Sequence, residues 1–546
     1  FFHPDEVLVP LAAMRLGRPV KFIEDRSEHF VASNQERLQV HEIELAATKD
    51  GEVLGLRDTF VHDTGAFIPY GIAVAQVAST AIAGPYRIPN IEVEFKAVYT
   101  NTTTVTPYRG CGRPQACMTI ERALDKLADE LGIDRTEIRR RNFIQPDEFP
   151  YNRSGLIFAD GLPVTLDSGE YEQALDIVLK EIDYAGFRAE QEKARAEGRF
   201  IGLGLACYVE GTGLGPYEGA HVQVHGTTGR VQVATGLTCQ GQGHETVFAQ
   251  IAADQLGVAP DMVDVTTGDT DAMQWGVATF ASRAAVVSGS AVHRAAEAVR
   301  KQAFEFAANM LECSAEDLDA EDGMIFVKGS PDRAVPLKTV ATASNPLRYA
   351  FDDEARIATQ FASVYGDVQG PPLPEGVAPG LEAWEYYSPP HATWANGVHA
   401  AIVEVDMDTM QVKYLRYVCA HDCGTVINPM IVEGQVMGGV AQGVGGALYE
   451  KLEYDETGQL RNASFMDFLI PYATEIPRVE LHHMETPSPL NPLGIKGVGE
   501  AGTIPVPALT ASAVTDALRP LGIEIDSVPI FPADLFERVE AARASA

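Results

Sequence analysis

One acidic residue of this chain sits where a general base could be held. Gly494-Ile495-Lys496-Gly497-Val498-Gly499-Glu500-Ala501-Gly502 places a carboxylate, Glu500, in a glycine-rich turn. Glycines let the backbone bend sharply and let a bulky ligand approach closely. A carboxylate fixed in such a turn can take a proton from a reacting group; the bland alternative is a solvated turn residue. Four further segments are rich in glycine or in polar side chains. They are residues 107–116, with Arg109 and Cys111; 240–246, reading Gln240-Gly241-Gln242-Gly243-His244-Glu245-Thr246; 278–283, with Ala281 and Ser282; and 434–443, with Gln442. All four are read as loops. Two of them run into predicted helices, whose free N–H groups suit phosphates. Gln and Ser side chains add hydrogen bonds suited to a polar heterocycle. Four such loops together with Glu500 point to a large, phosphate-bearing cofactor lying between domains.

The elements that must position these loops follow from the pattern of apolar residues. Residues 7–16, 120–131, 135–142, 171–184, 188–197, 245–256 and 284–310 read as helices. Alternation over 38–47 and 53–62 predicts a strand pair around the turn at 49–51, and 221–234 a hairpin around 227–229. A second strand pair is expected at 398–405 and 411–420. The apolar run after Glu500, with Pro505 and Pro507, reads as the start of a helix. Residues 145–163, rich in Pro, Gly, Asn and Asp, read as a linker, and 357–393 as a long irregular connection. The expected organisation is two domains, 1–160 and 161–546.

Composition narrows the class. A chain of 546 residues exceeds one core. A net charge of −34 argues against nucleic acid and anionic membrane surfaces as partners. No apolar run reaches the roughly 18 residues of a membrane span. Seven cysteines, odd in number and irregularly spaced, do not form a disulfide framework and suggest a reducing, cytoplasmic setting. Cys419-Ala420-His421-Asp422-Cys423 could form a metal clip, but the ligand set is short of a zinc site; a strand end running into a turn is the other reading.

With these motifs in this order, the chain resembles the molybdenum-containing large subunit of the xanthine oxidase family, the molybdenum hydroxylases. It looks closest to the bacterial branch that includes aerobic carbon monoxide dehydrogenase and N-heterocycle or aldehyde dehydrogenases. The resemblance rests on 240–246, on Lys496 with Gly497-Val498-Gly499-Glu500, and on Asp422-Cys423-Gly424-Thr425-Val426-Ile427-Asn428-Pro429 with Gly434-Gln435-Val436. It implies mixed α/β, α+β-class molybdopterin-binding domains. It also implies a molybdenum–molybdopterin cytosine dinucleotide cofactor, held by its dithiolene without a protein ligand to the metal. Gln240, Gly241, Gln242, Gly243, His244 and Thr246 match the family's pterin and phosphate loop. Ala281 and Ser282 match a further contact loop, Gln442 a pterin contact, and Lys496, preceding the base motif, is expected as a further cofactor contact. Arg109 matches the arginine beside the metal centre and Glu500 the catalytic base. The implied reaction hydroxylates an electron-poor carbon with oxygen from water. No plant-type cysteine cluster motif occurs, so an iron–sulfur small subunit with two [2Fe-2S] clusters and an FAD-binding medium subunit are the implied partners, in a doubled hetero-oligomer.

The departures from the family pattern concern the substrate pocket. Copper–molybdenum carbon monoxide dehydrogenases place a cysteine directly after the Tyr-Arg pair; here Gly110 stands there and Cys111 follows. Xanthine-type enzymes place phenylalanine at the Cys111 position, arginine near Val77 and a second aromatic near Glu210. Cys111, Val77 and Glu210 are therefore expected at the substrate pocket, with Cys111 a wall residue and not a metal ligand. The family also has a Gly-Gly-Phe-Gly type loop and a further domain upstream of Phe1, expected either on another chain or cut away. Carbon monoxide oxidation and a non-catalytic relic of the fold are the alternatives to a heterocycle or aldehyde hydroxylase.

Overall fold

Alternating apolar and polar side chains pair the strand Gln39–Ala47 antiparallel with Val53–Asp63 through the turn at Gly51, and Ile91–Val98 joins parallel to the second strand. These ranges come from a computed structural model, which describes residues 3–66, 69–345 and 379–545. Beside a three-stranded sheet of Leu318–Glu321, Met324–Val327 and Ser330–Pro336, two four-stranded sheets form most of the remaining frame. One runs in the order Val479–Met484, Val412–Asp422, Thr393–Val405, Phe200–Thr212; the other Leu381–Tyr387, Glu218–Val224, Val231–Thr235, Val263–Thr267. The architecture is the mixed helix and strand arrangement expected.

The helix Val506–Leu518 is the centrepiece. Pro507 lies in its first turn and Ala, Val and Thr fill it, so no polar side is left for solvent; nearly every residue is buried. It packs on the strand Phe200–Thr212 and on the helix Arg113–Leu131. Residues on both sides of position 160 share one apolar core, including Ile120, Phe158, Leu203 and Trp394. One buried charge pair, Arg135–Asp516, crosses the same position, and Arg139 forms others within the first part of the chain. Arg135 lies 3.2 Å from Asp516, and Arg139 reaches both Glu121 (2.9 Å) and Asp125 (3.0 Å).

Several expectations are corrected. The segment 145–163 is no bare linker: Tyr151–Ile157 pairs with Pro163–Leu166, and Phe158 is buried in the core. Of the expected connection 357–393, residues 357–378 lie outside the described residues, and Leu381–Tyr387 is a strand paired with Glu218–Val224. Residues 434–443 are not a loop but part of the helix Pro429–Leu448. Its glycines serve contact, not turning. A Cβ on Gly439 would lie 2.8 Å from the Gly502 Cα, so the missing side chain lets the helix meet the Glu500 loop backbone to backbone. Cys419 and His421 end a strand and each has its own partner: Cys419 Sγ lies 2.9 Å from His399 Nε2, and Tyr208 Oη 2.9 Å from His421 Nδ1.

Candidate functional site

The loops converge on one cavity of about 1300 Å³. Glu500, Arg109, Cys111, Val77, Gln240, Gly241, Gln242, His244, Ala281, Ser282 and Lys496 all line it, drawn from segments more than four hundred residues apart. Gly243, Thr246, Gln442 and Glu210 do not line it. Gly243 caps the helix His244–Leu256, and Thr246 is exposed in its first turn. Gln442 meets the site through Arg109, and Glu210 is fully buried behind the wall.

Glu500 is positioned from three sides. The Gly110 N–H donates to its Oε1 at 2.9 Å, and Arg113 Nη1 lies 3.4 Å from Oε2. Its own N–H donates to Ser282 Oγ at 3.0 Å, which in turn sits 3.3 Å from Oε2. The side chain keeps 12% exposure, on the cavity. Close approach of two backbones makes this possible. A Cβ on Gly497 would stand 2.0 Å from the Ser282 carbonyl oxygen, so only glycine fits. Ser282 and Ala281 carry φ of 48° and 49°, the left-handed region that non-glycine residues rarely enter. Arg283 supports that geometry. It is wholly buried, pairs with Glu218, and donates to the Leu214 carbonyl at 2.8 Å and the Ala278 carbonyl at 3.1 Å.

The loop at 107–112 is clamped between two acids. Glu500 takes the Gly110 N–H, while Glu36, also buried, accepts from the Tyr108 N–H (3.2 Å), the Gly112 N–H (2.9 Å) and Gln115 Nε2 (3.1 Å). Burial raises the Glu36 carboxyl above its ordinary range, opposed by Arg37 and these donors. Arg109 is a brace across the site: Nε donates to the Gly499 carbonyl (2.6 Å), Nη1 to Gln442 Oε1 (2.9 Å) and Nη2 to the Gln435 carbonyl (3.0 Å). Lys496 is spent inward. Its buried Nζ donates to Thr486 Oγ1 (2.8 Å) and the Ser168 carbonyl (3.2 Å), with Asp422 at 3.6 Å. Burial pushes the Cys111 thiol well up, so it stays protonated at neutral pH.

Across the cavity stands the 240–246 loop. Gln242 braces it: the Gln240 N–H donates to Gln242 Oε1 (2.6 Å), and Gln242 Nε2 donates to Gln240 Oε1 (2.9 Å). The helix behind it begins at Gly243 without a side-chain cap, leaving first-turn N–H groups for an anion. His244 is 5% exposed, burial lowers its pKa so the ring is neutral, and its buried Nδ1 has no partner among the described residues. A buried polar atom left unpaired costs about 1–3 kcal/mol, which a bound ligand at this wall would recover. The pocket thus fits a molybdopterin cofactor in size, in anion-binding backbone and in its orphaned donor or acceptor.

Glu36, Arg113, Glu218 and Arg283 escaped the sequence reading as site residues. Arg113 follows Arg109 by four positions, which is a visible signal. The acids carry no local signal for the site, since the loop residues they hold lie 59 to 79 residues away.

Two family models match, each described as a molybdopterin cofactor-binding domain, over residues 1–143 and 177–477. The chain is 37% identical over 545 residues to the nicotine 6-hydroxylase large subunit of Paenarthrobacter nicotinovorans, covering 97% of this chain and 63% of that protein. It is 36% identical over 540 residues to the carbon monoxide dehydrogenase large chain of Hydrogenophaga pseudoflava, covering 95% and 63%. Quinoline 2-oxidoreductase from Pseudomonas putida 86 superposes with a TM-score of 0.89 at 37% identity, covering 99% of this chain and 66% of that one. The chain therefore spans 63% of the length of both curated relatives.

Proposed function

The chain belongs to the molybdopterin-binding large subunits of the xanthine oxidase family, and on that premise we propose that it oxidises a carbon of an N-heterocycle or aldehyde, with water as the oxygen source. The observation that carries this reading is a carboxylate, Glu500, held by the Gly110 N–H, Arg113 and Ser282 on the wall of a cofactor-sized cavity. Relatives named for nicotine and quinoline support an N-heterocycle first. The cofactor, proposed as the cytosine dinucleotide form, supplies two-electron oxidation and activation of water when bound.

The chain's own residues bind, orient and move a proton. Gln240, Gly241, Gln242 and His244 would hold the pterin from the cavity lining, and the helix start at Gly243 to Thr246 would offer its first-turn N–H groups to the phosphates. Ala281 and Ser282 line the facing wall beside Glu500, Gln442 braces it through Arg109, and Lys496 fixes the Glu500 turn from beneath. Arg109 locks the 107–112 loop, the Glu500 loop and the helix Pro429–Leu448 into one rigid wall. Glu500 Oε2 takes up the proton released as the oxygen nucleophile forms. Val77 and Cys111 shape the substrate side.

The two lobes, 1–160 and 161–546, meet at this cavity. Electrons leave through an iron–sulfur subunit with two [2Fe-2S] clusters and an FAD subunit, in a doubled assembly with a separate chain or segment supplying the remainder of the molybdopterin region. The relatives' naming as large subunits supports other subunits. No helix among the described residues is long and apolar enough to cross a membrane. All seven cysteines are free thiols, which supports a cytoplasmic complex.

Turnover of N-heterocycles and aldehydes with an artificial electron acceptor, in isotopically labelled water, tests the reading. Label in the product supports it; product oxygen from dioxygen overturns it. Carbon monoxide oxidation in the same assay would instead favour the carbon monoxide dehydrogenase reading.

Two variants test the walls. Gln242→Ala removes the brace of the 240–246 loop and should lower molybdenum occupancy while turnover per bound molybdenum stays near wild type. Full occupancy with slow turnover would contradict a cofactor-holding role. Cys111→Ala trims a protonated thiol from the substrate wall and should raise KM severalfold with kcat and metal content little changed, the signature of lost uniform binding. Joint loss of turnover and of stoichiometric copper would mark Cys111 as a metal ligand instead.

A further inference from the structure

Glu210 lies on the strand Phe200–Thr212, opposite Ala395, with its side chain wholly buried behind the cavity wall. The chemistry above does not use it, yet it is tied to the residue that chemistry depends on. The Ser282 hydroxyl donates to Glu210 Oε1, accepts the Glu500 N–H at 3.0 Å and stands 3.3 Å from Glu500 Oε2. The Glu210 and Glu500 carboxyls are thus joined through one hydroxyl, and the Glu500 charge acts on Glu210. Glu210 Oε2 is buried without a donor among the described residues. The positive charge beside the pair is in contact with Glu500 and not with Glu210. Arg113 lies 3.4 Å from Glu500 Oε2, but it also donates to the Gly110 and Gly211 carbonyls, at 3.2 and 2.6 Å. Arg109 also faces the pair, though its donors are spent on Gly499, Gln442 and Gln435. On Glu210's own strand Tyr208 feels its charge, and the Cys111 thiol faces Glu500 from the 107–112 loop.

Two adjacent carboxyls in a dry site do not both ionise at little cost, and a buried carboxylate oxygen without a donor is a further penalty. We propose that Glu210 is a positioning residue, the protonated member of a carboxyl pair, which holds Glu500 in one orientation at the cavity and leaves it the anionic member that accepts the proton. The proposal rests on Glu500 as the base. Burial, with the Glu500 charge beside it, pushes the Glu210 carboxyl up to about 8. Its proton is kept at neutral pH and lost as pH rises through that value. Above it a second negative charge faces Glu500, and the Ser282 bridge no longer favours one arrangement.

Infrared titration of the purified holoenzyme complex tests this directly. Wild type should show a protonated-carboxyl stretching band at neutral pH that fades on mild alkalinisation, and Glu210→Gln should lack it. In kinetics, Glu210→Ala should lower kcat about 10- to 100-fold at little-changed KM and molybdenum content. Glu210→Gln, which keeps the neutral shape and hydrogen-bonding capacity, should restore most of kcat and lose the alkaline fall of the pH profile. A band unchanged by Glu210→Gln, or a Gln variant as slow as the Ala variant, overturns the proposal. If the Ala variant does not fold, the infrared band and the Gln pH profile still decide. If Glu500→Gln stays active, the base assignment fails while the infrared titration still reports on Glu210, so the two failures are distinct.

Discussion

Glu500→Gln lowers turnover about 10²–10⁴-fold or more, with molybdenum and pterin content near wild type. The amide keeps the shape of the carboxyl, and its one oxygen can still accept the Gly110 N–H, with the NH2 group in the place of Oε2. The loop, the Ser282 contact to the backbone N–H and the close packing at Gly497 are untouched. What is lost is the ability to take a proton at a side chain that remains partly open to the cavity. Saturating kcat measured beside elemental molybdenum content checks the result. Retention of most activity would remove Glu500 from the proposed chemistry.

The second large effect is expected at a distance from the reacting groups. Glu218→Ala should destabilise the protein by about 3–5 kcal/mol, the range for removing one partner of a buried ion pair. Glu218 and Arg283 are both fully buried. Without the carboxylate, the guanidinium keeps only carbonyl partners at Leu214, Ala278 and Pro216, and its charge stays uncompensated. The same arginine anchors 278–283, where Ala281 and Ser282 hold left-handed backbone that needs support from outside. Cofactor content should therefore fall together with stability. A denaturant midpoint compared with wild type, alongside molybdenum content, checks both; a change below about 1 kcal/mol would mean that the pair is not what holds this loop.

What the sequence disclosed divides along a physical line. Features set by neighbours in the chain were readable. The predicted helix 245–256 is found at His244–Leu256, and 120–131 lies within Arg113–Leu131. The hairpin turn at 227–229 joins the strands Glu218–Val224 and Val231–Thr235. The 240–246 loop, a glycine turn followed by helix periodicity, was readable for the same reason. Features set by contacts across the fold were not. The glycines of 434–443 look like turn residues until Gly502 is seen against Gly439. The strand Leu381–Tyr387 was hidden among the prolines and glycines that flank it. Glu210, in an otherwise apolar strand, was placed at the substrate pocket, whereas the fold turns it onto Ser282. Lys496 reads as a cofactor contact by its place in the motif, whereas its ammonium is held by Thr486, Ser168 and Asp422. Side-chain direction at these positions depends on the register of Phe200–Thr212 and on the Cys423–Lys496 backbone contact, which no local pattern encodes.

The central claim is that the cavity between these loops holds a molybdenum cofactor. Elemental and pterin analysis of the complex purified from cells supplied with molybdate tests it most directly. Molybdenum and pterin should be found in stoichiometric amount with this chain, both reduced together in Gln242→Ala. A complex that folds and assembles fully yet contains neither, after purification under mild conditions, would contradict it and leave the fold a non-catalytic relic.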